Sequence, residues 1–466
     1  MYWANFLHFY QPPTQKSFWV NKITAEAYRP ILKGLLKQPG NKVTFNVNGI
    51  LLELFEENGH TDVIDMLREL LERGQIELTG SAKFHPLLPF LPESEVMRQI
   101  ELNEIVLKKY FGAAWKRVGF FPPEMGFDTN VAKIVAKMGY KWVIIDELSV
   151  PFDKRPLKYD SIYTIPGIPD FNVYFRDRYM SWIILSGQVG TANHLVQNLG
   201  ARLTGDEFLL TAMDGESFGH HRPGLEQLLF EMHAESGLTS VLVSELPNYF
   251  KKTKEIEPIP STWALMEKDK GKRIPFARWL DEDNEIQRMQ WELTNLAIDL
   301  VHKAEKEDSQ SQGFLEARHA LDRALHSDQY WWASARPWWS IEMIERGGKE
   351  FFDAIRHIPN LDPKILEKAK NLYHDIVFTA FEWQRSGKVD ELSKAEDEDI
   401  RQRTDANISR IPKEEVEKMI SKLREEMKGV VAGEEFERAA QFRNRIKELQ
   451  EYMNDDSGKT ILFKSQ

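Results

Sequence analysis

Short apolar runs recur along the first half of the chain, each closing on a polar or proline-rich turn, and most lead into a stretch with helical spacing. Tyr2–His8 predicts a strand that ends in His8-Phe9-Tyr10-Gln11-Pro12-Pro13, where the paired prolines forbid continuation of a ladder or a helix. Val43–Val47 predicts a second strand, followed by Asn48-Gly49 and a helix over Leu51–Glu57. A helix over Thr61–Arg73 then leads to a strand over Gln75–Thr79, Gly80 and His85-Pro86. Val118–Phe121 closes on Pro122-Pro123-Glu124 ahead of a helix over Asn130–Met138, and Trp142–Ile145 runs into Asp146-Glu147. Phe208–Leu210 opens into the loop Thr211–Gly224, TAMDGESFGHHRPG, and Val241–Ser244 follows. Repeated strand, polar loop and helix predict a parallel sheet, and this many repeats predict a closed or nearly closed α/β barrel.

From Asn284 the period changes. Asn284–Glu307, Phe314–Ser327, Ser340–His357 and Pro363–Arg385 carry apolar residues at three and four spacing with no strand between them, which predicts a helical bundle. Gly387–Ile411 is charged and aperiodic and reads as a linker. Val416, Ile420, Leu423, Met427 and Val430, then Phe436, Ala439, Phe442, Ile446, Leu449 and Met453 beyond Gly433, predict an antiparallel helical hairpin. Residues 455–466 read as a frayed tail. The expected division is a barrel over 1–283, a bundle over 284–386, a linker over 387–411 and a hairpin over 412–454.

Composition narrows the function classes. The 466 residues hold 42% hydrophobic positions, with 27 Phe and 13 Trp, enough for a large core. Lys and Arg number 61 against 72 Asp and Glu, a formal charge of -11 with no basic cluster, so neither nucleic acid nor an anionic membrane is an expected partner. No apolar run is long enough to span a bilayer, no Lys or Arg precedes Lys16, and cysteine is absent, which together read as a cytoplasmic protein without disulfides.

The chemistry-bearing residues cluster at the predicted strand ends. His8, Glu77, His85, Glu124, Asp146 and Asp214 would meet on one barrel rim, where α/β barrels carry their active sites. A retaining glycosidase needs two carboxyl groups about 5 to 5.5 Å apart, one as nucleophile and one as acid/base. Glu124, on a stiff approach of Phe120, Phe121, Pro122 and Pro123, suits the nucleophile. Asp214 suits the acid if Glu124 or Glu216 raises its pKa. The competing readings are a helix cap for Glu124, an Asx-type turn for Asp214, ordinary hydrogen-bonded side chains for His8 and His85, and core filling for Trp263. His220-His221 would point to opposite sides in extended chain. Ser327–Trp339, SDQYWWASARPWW, is denser in aromatics than packing normally uses, and Trp338 and Trp339 suit an aromatic plug between bundle and barrel.

Four stretches in order, HFYQPP, GQIELTGSAKFHPLLP, GFFPPEMGFD and TAMDGESFGHH, resemble the signature motifs of glycoside hydrolase family 57, over roughly residues 1 to 385. The resemblance implies an incomplete (β/α)7 barrel, a helical domain completing the cleft, and a retaining mechanism on α-linked glucans without cofactor or metal. It implies Glu124 as nucleophile and Asp214 as general acid/base. His8, Glu77, His85 and Glu216 match positions that contact the sugar. Tyr10 and Phe121, which stand where the family usually has His and Trp, and His220 are expected to join them. PIPSTW resembles a fifth motif, with Trp263 as a stacking platform, and Asp328 and Trp331 match the segment that closes the cleft. Leu423–Leu449 is similar to the UVR motif, which implies docking of a protein partner; the competing reading is a self-contained hairpin or a clasp for self-association.

Three functions follow as alternatives. The first is an α-glucan hydrolase or a transglycosylase of glucanotransferase or branching type, the second a catalytically idle glucan-binding protein with a docking hairpin. The third, a metal-dependent deacetylase or mannosidase, is disfavoured because the His8 motif lacks a close His/Asp ligand grouping.

Overall fold

The computed structural model describes residues 1–235, 237–407, 411–433 and 435–454. Ten strands form the sheets: β1 (Tyr2–Phe9), β2 (Val43–Val47), β3 (Ile76–Leu78), β4 (Gly119–Phe120), β5 (Trp142–Asp146), β6 (Ile162–Thr164), β7 (Asn172–Arg176), β8 (Phe208–Asp214), β9 (Thr239–Val241) and β10 (Thr253–Glu255). One sheet runs β3-β2-β1-β8 with β9 also on β1, and the other runs β10-β6-β7-β5-β4. All pairings are parallel except β6 with β7. A parallel bridge between Gly80 and Phe120 joins the two sheets. There the Gly80 amide donates to the Gly119 carbonyl at 2.8 Å, and the Phe121 amide donates back to the Gly80 carbonyl at 2.9 Å. Glycine is required at this seam, because a Cβ on Gly80 would lie 2.1 Å from the Tyr140 hydroxyl.

The curled parallel sheet is the incomplete barrel expected, and its central strands β1, β2 and β5 are buried along nearly their whole length, as strands covered on both faces must be, while β10 at one edge is exposed. The helical region packs Glu285–Asp308, Gln312–Ala324, Ile341–Arg356 and Pro363–Ser386 around Leu293, Ala297, Val301, Leu321, Ile344 and Phe351. Each helix starts on a side-chain cap: Asn284, Ser311, Ser340 and Asp362 accept from an amide in the first turn. Helix Glu93–Phe111 ties barrel to bundle through ions. Arg318 grips Glu95 with two bonds of 2.7 Å, and Arg98 grips Asp322 at 2.8 and 2.7 Å.

Three expectations are corrected here. The expected linker is helical over Lys388–Asn407. Its anchor is Glu396, buried and held by Lys268, Arg278 and Arg336 at 2.6, 2.6 and 3.2 Å, an ionic contact that apolar periodicity cannot reveal. Strands β6, β7 and β10 stand where no strand was expected, and the strand expected over Val241–Ser244 is instead β9 at Thr239–Val241 followed by a helical turn over Val243–Glu245. The hairpin forms from helices Lys413–Ala432 and Phe436–Asn454 around Val416, Ile420, Leu423, Phe442, Ile446 and Leu449. The expected tail and the end of the expected linker, 408–410, lie outside the described residues. No helix of the described residues is long and apolar enough to cross a membrane.

Candidate active site

Glu124 sits one turn beyond β4 with φ of +60°, and His85 and Met125 share this left-handed region with φ of +58° and +48°. Each such residue costs on the order of 1–2 kcal/mol, so the chain spends strain where these side chains are aimed. Glu124 caps no helix. Asp128 caps Thr129–Lys137, accepting from the Val131 amide at 2.7 Å. Glu124 instead faces donors. The Trp263 indole donates to its Oε2 at 2.9 Å, the Ser327 hydroxyl donates to its Oε1 at 3.3 Å, and His85 Nδ1 lies 3.6 Å from Oε1. The Trp263 amide also donates to the Glu124 carbonyl at 3.2 Å, so both residues are located by one main-chain contact.

Burial pushes the Glu124 carboxyl up to about 8, opposed by the Trp263 bond and reinforced by the charges of Asp328 and Asp214. Asp214 ends β8 and makes no side-chain cap, which removes the turn reading. It is open to solvent through the cleft, yet protein crowds its other sides. Burial pushes its carboxyl up to about 6, and the nearby Arg176 guanidinium restrains the rise. Glu216 is pushed up to about 8, first by burial and then by the charge of Asp214, and it accepts from the Tyr28 hydroxyl and from Gln11 Nε2 at 3.2 Å. Glu124, Asp214 and Glu216 therefore lie within one another's fields as a chain of acids.

Rings wall this group. His8 lies against Phe121, His85 and Trp263 at centroid distances of 4.6, 5.1 and 5.7 Å, and its Nδ1 is bonded to Asn46 Oδ1 at 2.8 Å. Tyr10 stacks on His85 at 3.9 Å, and its hydroxyl donates to Asp328 Oδ2 at 2.6 Å. His326 bridges Asp328 and Glu350 at 3.2 and 3.1 Å. Burial alone would lower its pKa, but the two carboxylates outweigh it and raise it to about 9, so His326 is a buried cation at neutral pH. Asp328 is held below the usual carboxylate range because the His326 bond and charge outweigh its own burial.

His8, Tyr10, His85, Phe121, Glu124, Asp214, Glu216, Trp263 and Asp328 are thus brought together. Glu77 is not at a strand end: it lies within β3, its Oε1 accepting from the Thr44 hydroxyl at 2.7 Å and the Ser244 amide at 3.1 Å. Pairing of Glu77 with Thr44 puts it one inward layer below His8 and Asn46. His220 turns away to Glu26 Oε2 at 2.5 Å, with His221 beside it at 5.0 Å because the loop is coiled, not extended. Trp331 packs against Trp279 and Trp338 at 5.2 and 6.3 Å. Trp339 stacks on Trp383 at 5.9 Å inside the helical region, and Trp338 is partly exposed, so neither contact is the expected plug between bundle and barrel. Asp146 is fully buried and neutralised by Arg176 and Arg178 at 2.6 and 3.0 Å.

Sequence reasoning missed Arg176, Ser327, His326 and Tyr28. Arg176 is the charged residue that closes the apolar run of β7, and that contrast was the available signal. Its guanidinium also donates to the Ala212 carbonyl at 3.1 Å and lies 5.6 Å from the Trp263 ring, linking β7, β8 and the Trp263 loop.

The model of glycosyl hydrolase family 57 matches residues 6–257, and that of the UvrB/uvrC motif matches 417–452. An alpha-amylase of Pyrococcus horikoshii is 27% identical over 230 residues, 48% of this chain and 35% of its own length. A 4-alpha-glucanotransferase of Thermococcus litoralis is 26% identical over 231 residues, 48% and 34% of the two chains. The chain thus spans about a third of the length of these curated relatives. A solved branching enzyme of the family 57 type from Pyrococcus horikoshii superposes with a TM-score of 0.63 at 15% identity, over 82% of this chain and 96% of that one. The Thermococcus litoralis glucanotransferase structure gives 0.59 at 19% identity, over 78% and 59%. At these identities the structures speak for the fold alone.

Proposed function

Since the chain belongs to glycosyl hydrolase family 57, we propose that it cleaves α-linked glucans, such as starch, glycogen or maltooligosaccharides, with retention, using Glu124 as nucleophile and Asp214 as general acid/base. The observation that carries the reading is the contrast between two acids of one cleft, Glu124 held by fixed donors and Asp214 open to solvent. A carboxylate fixed by an indole N–H and a hydroxyl presents its lone pair in one direction, as an attacking group must. An acid in contact with water can lose and regain its proton in each cycle.

In the first step a Glu124 oxygen bonds to the anomeric carbon, the glycosidic C–O bond breaks, and the leaving oxygen takes the proton of Asp214. In the second, Asp214 takes a proton from water or a sugar hydroxyl, whose oxygen displaces Glu124 and restores the starting configuration. Burial favours the proton on Glu124, since its carboxyl is raised further than that of Asp214. The pair therefore holds one proton around neutral pH, and catalysis requires that proton on Asp214 when sugar fills the site. His8, Tyr10, His85, Phe121, Trp263, Asp328 and Glu216 would line the sugar next to the cleaved bond. Glu77, His220 and Trp331 would act indirectly, given their present partners.

Water as acceptor gives an amylase-like hydrolase and a second sugar gives a glucanotransferase or branching activity, and relatives bearing the first two names match the chain about equally well. Incubation with maltooligosaccharides distinguishes them: hydrolysis raises reducing ends, transfer redistributes chain lengths at constant reducing ends. Glu124→Gln should abolish either; products that persist in that variant would rule out Glu124 as nucleophile, and no products from the wild type would leave a glucan-binding protein. The described contacts of the hairpin are with its own barrel, which supports a service to the enzyme itself over docking of a protein partner or a second copy.

A further inference from the structure

The hairpin packs against the loop that carries the acids. Leu423 and Phe442 fill the space over Gly224, where a Cβ would meet Leu423 Cδ2 at 2.4 Å, and Met419 covers Gly190. Arg438 donates to the buried Glu226 at 2.7 Å, and Lys422 pairs with Glu231. Gln441 Nε2 donates to Glu26 Oε1 at 2.7 Å. Glu26 belongs to the π-helical turn Thr24–Tyr28, a single-turn bulge between the helices Ser17–Ile23 and Arg29–Leu36 of the kind found mostly at functional sites.

That turn grips the loop twice. Tyr28 donates to Glu216, and Glu26 Oε2 holds His220 Nδ1 at 2.5 Å. Between these grips Gly219 passes so close to the Glu26 carbonyl that a Cβ would lie 2.0 Å from it. The hairpin thus touches the end of the loop directly at Gly224 and supports its middle through Glu26.

We propose that the C-terminal hairpin is a brace in cis for the loop 214–224, with Gln441 as a positioning residue that fixes the Thr24–Tyr28 turn and, through it, Glu216 beside Asp214. The consequence for turnover rests on the role given to Asp214 above; the brace itself does not. A brace acts on geometry in the transition state, so its loss lowers kcat more than it changes KM.

The test uses the full chain as wild type, Gln441→Leu and Gln441→Lys, the last retaining a donor for Glu26. Amide hydrogen exchange over 24–28 and 215–224 should run roughly tenfold faster in Gln441→Leu and near the wild-type rate in Gln441→Lys. The kcat should fall about three- to tenfold in the first variant and recover in the second, with KM within about twofold. Wild-type exchange in Gln441→Leu, or equal loosening in both variants, overturns the brace. Faster exchange in Gln441→Leu with unaltered kcat upholds the brace and counts against Asp214 as the acid.

Discussion

Replacing Trp263 by Phe removes one donor and little else. The ring still lies against His8 and Phe121, and the amide bond to the Glu124 carbonyl survives, so the loop stays located. What is lost is the 2.9 Å indole bond to Glu124 Oε2. A hydrogen bond to a charged group contributes about 1.5–3 kcal/mol, and Glu124 keeps a second donor in Ser327, which favours the lower end. At about 1.4 kcal/mol per decade, kcat should drop roughly 10- to 30-fold. The same bond holds the Glu124 pKa down, so its loss must raise it further from about 8. The alkaline limb of the rate profile, where the pair gives up its last proton, should then move to higher pH. Steady-state kinetics on a maltooligosaccharide at a series of pH values reads both effects. A kcat within twofold of wild type, or an alkaline limb displaced to lower pH, would mean that the indole bond does not hold Glu124 for attack.

The wild-type enzyme should show a bell-shaped kcat/KM with limbs near 6 and 8, because both carboxyls protonated leaves no nucleophile and both ionised leaves no acid; a flat profile across that window contradicts the shared proton. Arg176→Met should raise the Asp214 pKa and carry the acid limb upward, since the guanidinium is what restrains it, and an acid limb that falls or stays would count against that link. Arg318→Met leaves Glu95 with His302 and Asp322 with Arg98, and should cost about 3–5 kcal/mol in urea unfolding followed by tryptophan fluorescence. A loss below about 1 kcal/mol would mean that the two domains do not depend on this ion network.

The legible parts of the chain were those where one face or one run carries the pattern. Val43–Val47 is a strand over those very residues, and Pro363–Arg385 differs from the observed helix by one residue, because uninterrupted apolar spacing and a proline start leave little choice. Strand β6 escaped notice because it has only three residues, β7 because Pro166, Gly167 and Pro169 precede it and Asn172 and Arg176 bound its apolar run, and β10 because it is short and exposed throughout. The helix Lys388–Asn407 escaped for a different reason: Glu396 is buried by ion pairing, which depends on Lys268, Arg278 and Arg336 arriving from far along the chain. At the site the acids were readable from Pro-Pro-Glu and Asp-Gly-Glu in turns after apolar runs. Ser327 was not, since its value comes from meeting Glu124 across the junction of barrel and bundle, and His326 was not, since its charge comes from Asp328 and Glu350 closing on its two ring nitrogens in the fold.

Which carboxylate bonds to sugar can be read directly from a trapped intermediate. Brief incubation with a 5-fluoro-α-glucosyl fluoride, followed by peptide mass mapping, would locate the trapped intermediate. A single 5-fluoroglucosyl adduct is expected on Glu124 and none in Glu124→Gln. A label on Asp214 or Glu216, or turnover with inversion and no adduct, would contradict it.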